Sequence, residues 1–250
     1  MLWTFATAVE TGPIHQGSEG QDYALFSQSD DALFGVVSDG AGSAELGGIG
    51  SQLVCETFIL SAKAKLLEVP DLKEWTSEDI LGVFSSIVSV VKERAEADQR
   101  LFGEYSATMV ACIITAECAL FAQIGDGAAV VEIDGVYEPV LWPEESEFAN
   151  TTYFITADDA ISHFFAKRID RPVKFGALFT DGIQYLVLDF KTKQAHQPFF
   201  KTVHTKAAAG EAGLSDSTSD WLTAMLKSPQ VSSRSDDDTS IAVFCRKEEA

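Results

Sequence analysis

The sequence predicts an α+β layered fold, with two antiparallel sheets and helices outside them. Apolar runs of strand length gather at both ends and in the middle of the chain, and longer helical stretches come in pairs between them. That order is not the strand–helix alternation of a parallel sheet. With 250 residues and 46% hydrophobic content the chain can bury a sizeable core, and a single domain over residues 1–250 is expected.

Residues 3–9 (WTFATAV) alternate as a strand, and 11–20 (TGPIHQGSEG) are rich in turn formers. Gln21 to Phe26 enters a second strand, Asp30-Asp31 turns the chain, and 32–38 returns as a third strand ending at Asp39. Length and the lack of proline predict a helix over 43–67. A second helix opens with Ser77 as N-cap, and Ile80, Val83, Phe84, Ile87, Val88, Val91 and Ala95 recur at three- and four-residue steps. These two helices are expected to pair antiparallel on a sheet. Residues 107–114, 119–124 and 128–133 read as a three-strand meander, turning at 115–118 and at Gly125-Asp126-Gly127. Asp134-Gly135 is a hairpin signal toward 137–141. An acidic loop at 142–150 precedes a short strand at 151–156, a helical turn at 160–167 and an apolar strand at 174–180. Helices are expected over 183–190, 198–209 and 217–227, then a polar loop at 232–238 and a closing strand at 240–246.

Composition excludes several functions. Eighteen basic against 38 acidic residues give a net charge of -20, which repels phosphate backbones and anionic headgroups, so no nucleic acid and no membrane partner is expected. Cys55, Cys112, Cys118 and Cys245 form no C-x-x-C pair and sit inside apolar runs, which points to a reduced, cytoplasmic setting. The start of the chain lacks a basic region followed by a long apolar core, and the longest apolar stretch, 107–124, is broken by Glu117. No signal peptide or membrane span is expected.

The chemistry points to carboxylates at strand ends. Asp-Gly occurs at 39-40, 126-127, 134-135 and 181-182, and is first of all a turn signal. Asp39 and Asp181 differ from the others: each follows a strand and a small hydroxyl residue, as GVVSDG and GALFTDG, and each leads toward a helix. Asp236-Asp237-Asp238 precedes the last strand, and Gln21-Asp22 the second. Converging carboxylates repel one another unless cations sit between them. Oxygen ligands without histidine or cysteine suit magnesium or manganese, not zinc.

The ordered set Gln21-Asp22-Tyr23-Ala24, Ser38-Asp39-Gly40-Ala41-Gly42, Ala107-Thr108, Gly125-Asp126-Gly127, Thr180-Asp181-Gly182 and Asp237-Asp238-Thr239-Ser240-Ile241 resembles the metal-dependent serine/threonine phosphatases of the protein phosphatase 2C type. The likeness runs from about residue 9 to 245, and His15 with the DGAGSA turn resembles a compact bacterial subgroup. It implies a four-layer αββα arrangement, a central β-sandwich flanked by pairs of helices. It also implies two divalent cations, manganese or magnesium, with a third, weaker site. By motif position Asp39 would bridge two metals, Gly40 would add its carbonyl, and Asp181 and Asp237 would hold the second metal. Asp126 with Asp181 would take the third. Asp22 would orient metal-bound water, and His15 is a candidate phosphate or leaving-group contact. Two such ions roughly 3.5 to 4 Å apart acidify a shared water for in-line attack on phosphorus. The implied activity is hydrolysis of phosphoserine and phosphothreonine in proteins, by a monomer serving a serine/threonine kinase system in bacterial signalling.

Two positions depart from the family. Gln21 stands where glutamate is usual, and Ala41 where a histidine helps protonate the leaving alkoxide. Its absence would slow protein substrates more than aryl phosphates. These departures prompt an alternative, a degenerate fold that binds a phosphoprotein without turnover, against which the retained Asp39, Asp181 and Asp237 argue. Any of Asp236, Asp237 and Asp238 could be the ligand, and a hydroxyl before Ile241 favours Asp237. His163, His196 and His204 read as isolated surface or core-edge residues.

Overall fold

The chain opens with three strands, β1 (Trp3–Glu10), β2 (Asp22–Gln28) and β3 (Leu33–Asp39), followed by two long helices, α1 (Gly47–Glu68) and α2 (Ser77–Ala97). Four strands come next: β4 (Met109–Ile114), β5 (Ala119–Ile124), β6 (Ala128–Ile133) and β7 (Val136–Leu141). A one-turn helix, α3 (Ala160–His163), leads into β8 (Phe165–Ile169) and β9 (Phe175–Phe179). The remainder is α4 (Gln184–Val187), β10 (Leu188–Asp189), β11 (Gln194–Ala195), α5 (Gln197–Ala209), β12 (Gly213–Leu214), α6 (Asp216–Leu226), α7 (Pro229–Ser232) and β13 (Thr239–Arg246). The structure is a computed structural model and describes residues 2–13, 20–144 and 152–247.

Six strands form one sheet in the order β12-β1-β13-β9-β6-β7, and five form a second in the order β2-β3-β4-β5-β8. Neighbours run antiparallel except the short β12, which is parallel to β1. The two-residue periodicity of a strand decides which core each side chain enters. On β3, Leu33 and Val37 join the inter-sheet core with Trp3, Phe121, Leu178 and Phe244. Phe34 and Val36 point the other way and pack under Val54, Phe58, Phe84 and Ile87 of α1 and α2. On the six-stranded sheet, Phe175, Ala177, Phe179 and Val243 pack beneath Phe200 and Val203 of α5 and Leu222 and Leu226 of α6. Each such side chain contributes about 1.5–3 kcal/mol on full burial. Helices thus cover both outer faces, giving the expected four layers.

Several boundaries differ from the sequence reading. α1 starts at Gly47, because the residues after Asp39 are used in a turn. Its N–H groups at Ala41 and Leu46 bond to Ser106 and Glu104 carbonyls instead of a helix ladder. The N-cap of α2 is Thr76, not Ser77, since its hydroxyl accepts the Asp79 N–H while Asp79 accepts the Thr76 N–H. The expected meander breaks at its last step. β4 pairs with β5, but β6 pairs with β7 and β9 in the other sheet. Gly125–Gly127 is therefore a crossing between sheets, with Gly125 at φ 99°, a conformation glycine adopts freely. Asp134 and Gly135, at φ 52° and 85°, do make the expected hairpin between β6 and β7.

No strand forms over the described part of 151–156, whose backbone instead reaches other elements singly, as from the Ile155 N–H to the Ala107 carbonyl at 3.0 Å. The helical turn expected at 160–167 stops after α3, where β8 pairs with β5. The helix expected at 183–190 shortens to α4 and passes into β10. Among the described residues, no helix is long and apolar enough to cross a membrane.

Candidate active site

Asp39 ends β3 directly opposite Asp22, the first residue of β2. Its N–H donates to Thr108 Oγ1 at 3.0 Å, and the Thr108 N–H donates to the Asp39 carbonyl at 2.8 Å. The chain then passes α1 so closely that a Cβ on Gly40 would lie 2.2 Å from the Gly47 carbonyl carbon. Only glycine fits that approach.

From the other sheet, Thr180 and Asp181 follow β9, while Asp237 and Asp238 precede β13. Thr180 joins the two sheets. Its Oγ1 donates to Asp22 Oδ2 at 2.7 Å and accepts from the Ser240 N–H and hydroxyl, each at 3.1 Å. Asp126 arrives on the crossing between sheets, its Oδ2 accepting from Thr152 Oγ1 at 2.5 Å.

These acids form one electrostatic cluster. Burial, then the charges of Asp22, Asp181, Asp237 and Asp126, hold the Asp39 carboxyl well above its ordinary range. Burial pushes Asp22 up to about 7, against the opposing Thr180 hydrogen bond. Asp181 rises to about 8 through burial, then Asp126, Asp237 and Asp22. Burial also raises Asp126, opposed by the Thr152 hydrogen bond. The largest charge effects on all four come from other acids.

A divalent cation fits this set. Asp22 Oδ1 and Asp181 Oδ1 are buried with no hydrogen-bond partner among the described residues, an arrangement that is costly until a positive charge satisfies it. The donors are all oxygens, as magnesium and manganese require. Among the described residues, no three histidine, cysteine or acidic side chains close on one point as a ready-made cage.

The sequence-predicted residues sort clearly. Asp39, Asp22, Asp126 and Asp181 come together, with Gly40 beside Asp39. Of the three terminal acids, Asp238 is buried and structural, accepting the Gly12 N–H at 2.7 Å and the Gln21 N–H at 2.5 Å. Asp236 and Asp237 are both exposed, and it is the charge of Asp237 that acts on Asp39, Asp126 and Asp181. Gln21 anchors its Nε2 on the Ala44 carbonyl at 3.4 Å, leaving Oε1 buried and without a partner among the described residues. Ala41 is buried and offers no proton donor. His15 lies outside the described residues. His204 sits at a core edge as expected, 2.9 Å from the Tyr137 hydroxyl and stacked on Phe175. His163 is not isolated: its two nitrogens face Glu144 and Asp159. Sequence reasoning missed this contact, the Asp238 clamp and Thr152. For Thr180, the hydroxyl before Asp181 was the visible signal.

A helix-clad β-sandwich with a carboxylate-only edge defines a class of enzymes that work with oxygen-bound divalent cations. Residues 10–227 match the sequence profile of the protein phosphatase 2C family. The chain is 31% identical to serine/threonine-protein phosphatase 3 of Escherichia coli (strain K12) over 254 residues, covering 97% of this chain and 98% of that protein. It is similar in fold to the catalytic domain of the serine/threonine protein phosphatase PstP in complex with two manganese ions, with TM-score 0.68, 13% identity, and 99% of each chain covered. A bacterial serine phosphatase gives TM-score 0.66 at 15% identity, with 98% of this chain and 99% of that one covered. The chain belongs to the protein phosphatase 2C family and is a metal-dependent protein serine/threonine phosphatase, a phosphoric monoester hydrolase.

Proposed function

We propose that this single domain, residues 1–250, hydrolyses phosphoserine and phosphothreonine in proteins at the edge where Asp22, Asp39, Asp126, Asp181 and Asp237 meet. The observation that carries this reading is the convergence of buried carboxylates with orphaned oxygens on one sandwich edge. Asp39 would bridge two cations, Gly40 would lend its carbonyl to one, and Asp181 and Asp237 would hold the other. Asp126 with Asp181 would take a third, weaker ion. Manganese or magnesium bound there supplies an acidified water and neutralises the phosphoryl charge.

The chain's own residues orient and relay. Thr180 fixes one oxygen of Asp22, which leaves Oδ1 free to accept a hydrogen bond from water and hold it in line. His15 is a candidate contact for phosphate or the leaving group. Ala41 gives the departing alkoxide no proton, and serine and threonine alkoxides are poor leaving groups. Aryl phosphates are therefore expected to turn over faster than phosphopeptides. We read the protein as a cytoplasmic monomer acting on the products of a serine/threonine kinase.

The test is hydrolysis of p-nitrophenyl phosphate and a phosphothreonine peptide with manganese, magnesium or chelator. Activity is expected to vanish on chelation and in Asp39→Ala and Asp181→Ala. Unchanged turnover in both variants would refute the metal assignment, and tight metal binding without hydrolysis would favour a binding module.

A further inference from the structure

His163 is the last residue of α3. Its Nδ1 is 2.7 Å from Glu144 Oε1 and its Nε2 is 3.3 Å from Asp159 Oδ2. The ring lies flat on Tyr153, with centroids 3.3 Å apart and 11° between the planes. A carboxylate faces each nitrogen, an arrangement that favours the imidazolium, in which both nitrogens donate. The Glu144 hydrogen bond, first among its influences, raises its pKa accordingly.

Two of the ring's three partners, Glu144 and Tyr153, lie against the crossing that carries Asp126. The Glu144 N–H donates to the Gly125 carbonyl at 3.4 Å. The Tyr153 carbonyl lies where a Cβ on Gly125 would be 3.2 Å away. Thr152, the residue before Tyr153, donates to Asp126 Oδ2. The clamp has a cost, since Glu144 Oε2 is buried without a partner among the described residues. Packing alone would be better served by an apolar side chain here.

We propose that His163 is a positioning residue for Asp126: by clamping Glu144 to Tyr153 it fixes the Gly125–Gly127 crossing and the Thr152 contact, and so aims Asp126 at Asp181. This rests on the reading of Asp126 as a ligand of the third cation. His163 touches neither substrate nor metal.

Manganese titration of the full chain, followed by electron paramagnetic resonance of the free ion, tests it. The unaltered protein is expected to bind two ions tightly and a third weakly, the third being lost in Asp126→Ala. His163→Ala is expected to weaken only the third, by about 10–100-fold, the range for groups that support a ligand. His163→Asn, which keeps one donor toward Glu144, should recover part of that loss. Glu144→Ala opens the same clamp from its other side, so the question survives if His163→Ala fails to fold. A third site of full strength in His163→Ala and Glu144→Ala, yet absent in Asp126→Ala, overturns the proposal and leaves the metal assignment standing. A third site indifferent to Asp126→Ala removes both.

Discussion

At the scale of single residues, Asp237 and Asp238 are chain neighbours with opposite duties. Asp238 holds two backbone N–H groups, those of Gly12 and Gln21. Removing it leaves buried donors unpaired, at roughly 1–3 kcal/mol for each group. Asp238→Ala is thus expected to lower the urea midpoint markedly, while Asp237→Ala keeps the midpoint and loses manganese-dependent turnover. Equal midpoints for the two variants would contradict this division. The difference was invisible in the sequence, because the partners of Asp238 lie 226 and 217 residues away. Asp39 and Asp181 were legible for the opposite reason: strand, hydroxyl, Asp and Gly are contiguous in each.

At the scale of elements, the approach of Gly40 to the start of α1 sets the position of Asp39. A methyl group there would meet the Gly47 carbonyl carbon and oxygen at 2.2 and 2.3 Å, and backbone cannot yield as a side chain can. Gly40→Ala is expected to cost about 1–3 kcal/mol, as overpacking usually does. Thermal unfolding and metal titration should show stability and affinity falling together; a variant with native affinity would show that the contact is slack. The central strands were readable because both their faces are buried, which leaves unbroken apolar runs such as MVACII and ALFAQI, whereas the more exposed β8 was read as part of a helical turn. Partnership was not readable. Continuous apolar runs carry no mark of which sheet they enter, so β6 read as the next strand of a meander. The start of α2 was clear in outline, yet its cap lay one residue earlier than Ser77, in a box formed by Thr76 and Asp79.

For the whole molecule, the acid cluster links stability, pH and metal. Asp22 and Asp181 hold their protons up to about 7 and about 8, against an ordinary carboxyl value of 3.8. Asp39 is shifted the same way. The folded metal-free protein therefore binds protons more tightly than the unfolded chain. Their stabilising contribution is full below about pH 4 and disappears as pH rises through the folded values, the acids titrating as a group. The metal-free melting temperature is expected to fall from pH 5 to pH 8, and manganese to raise it more at pH 8 than at pH 5. Calorimetry at the two pH values decides it; a metal-free melting temperature that rises with pH would show that the cluster is not protonated as described.

One feature of the larger sheet bears on how the enzyme comes into being. β13 slots between β1 and β9, and Asp237 and Asp238 immediately precede it. During synthesis the sheet has a gap at its centre until that segment emerges, and pairing so distant in sequence is slow to form. With Asp237 as the proposed metal ligand, the nascent chain has no half-strength phosphatase stage: metal capture, docking of the residues around Gly12 and Gln21, and closure of the sheet all wait for Asp237, Asp238 and the strand they lead into. A ribosome stalled before them would hold a chain that cannot yet act on any phosphoprotein in its cell.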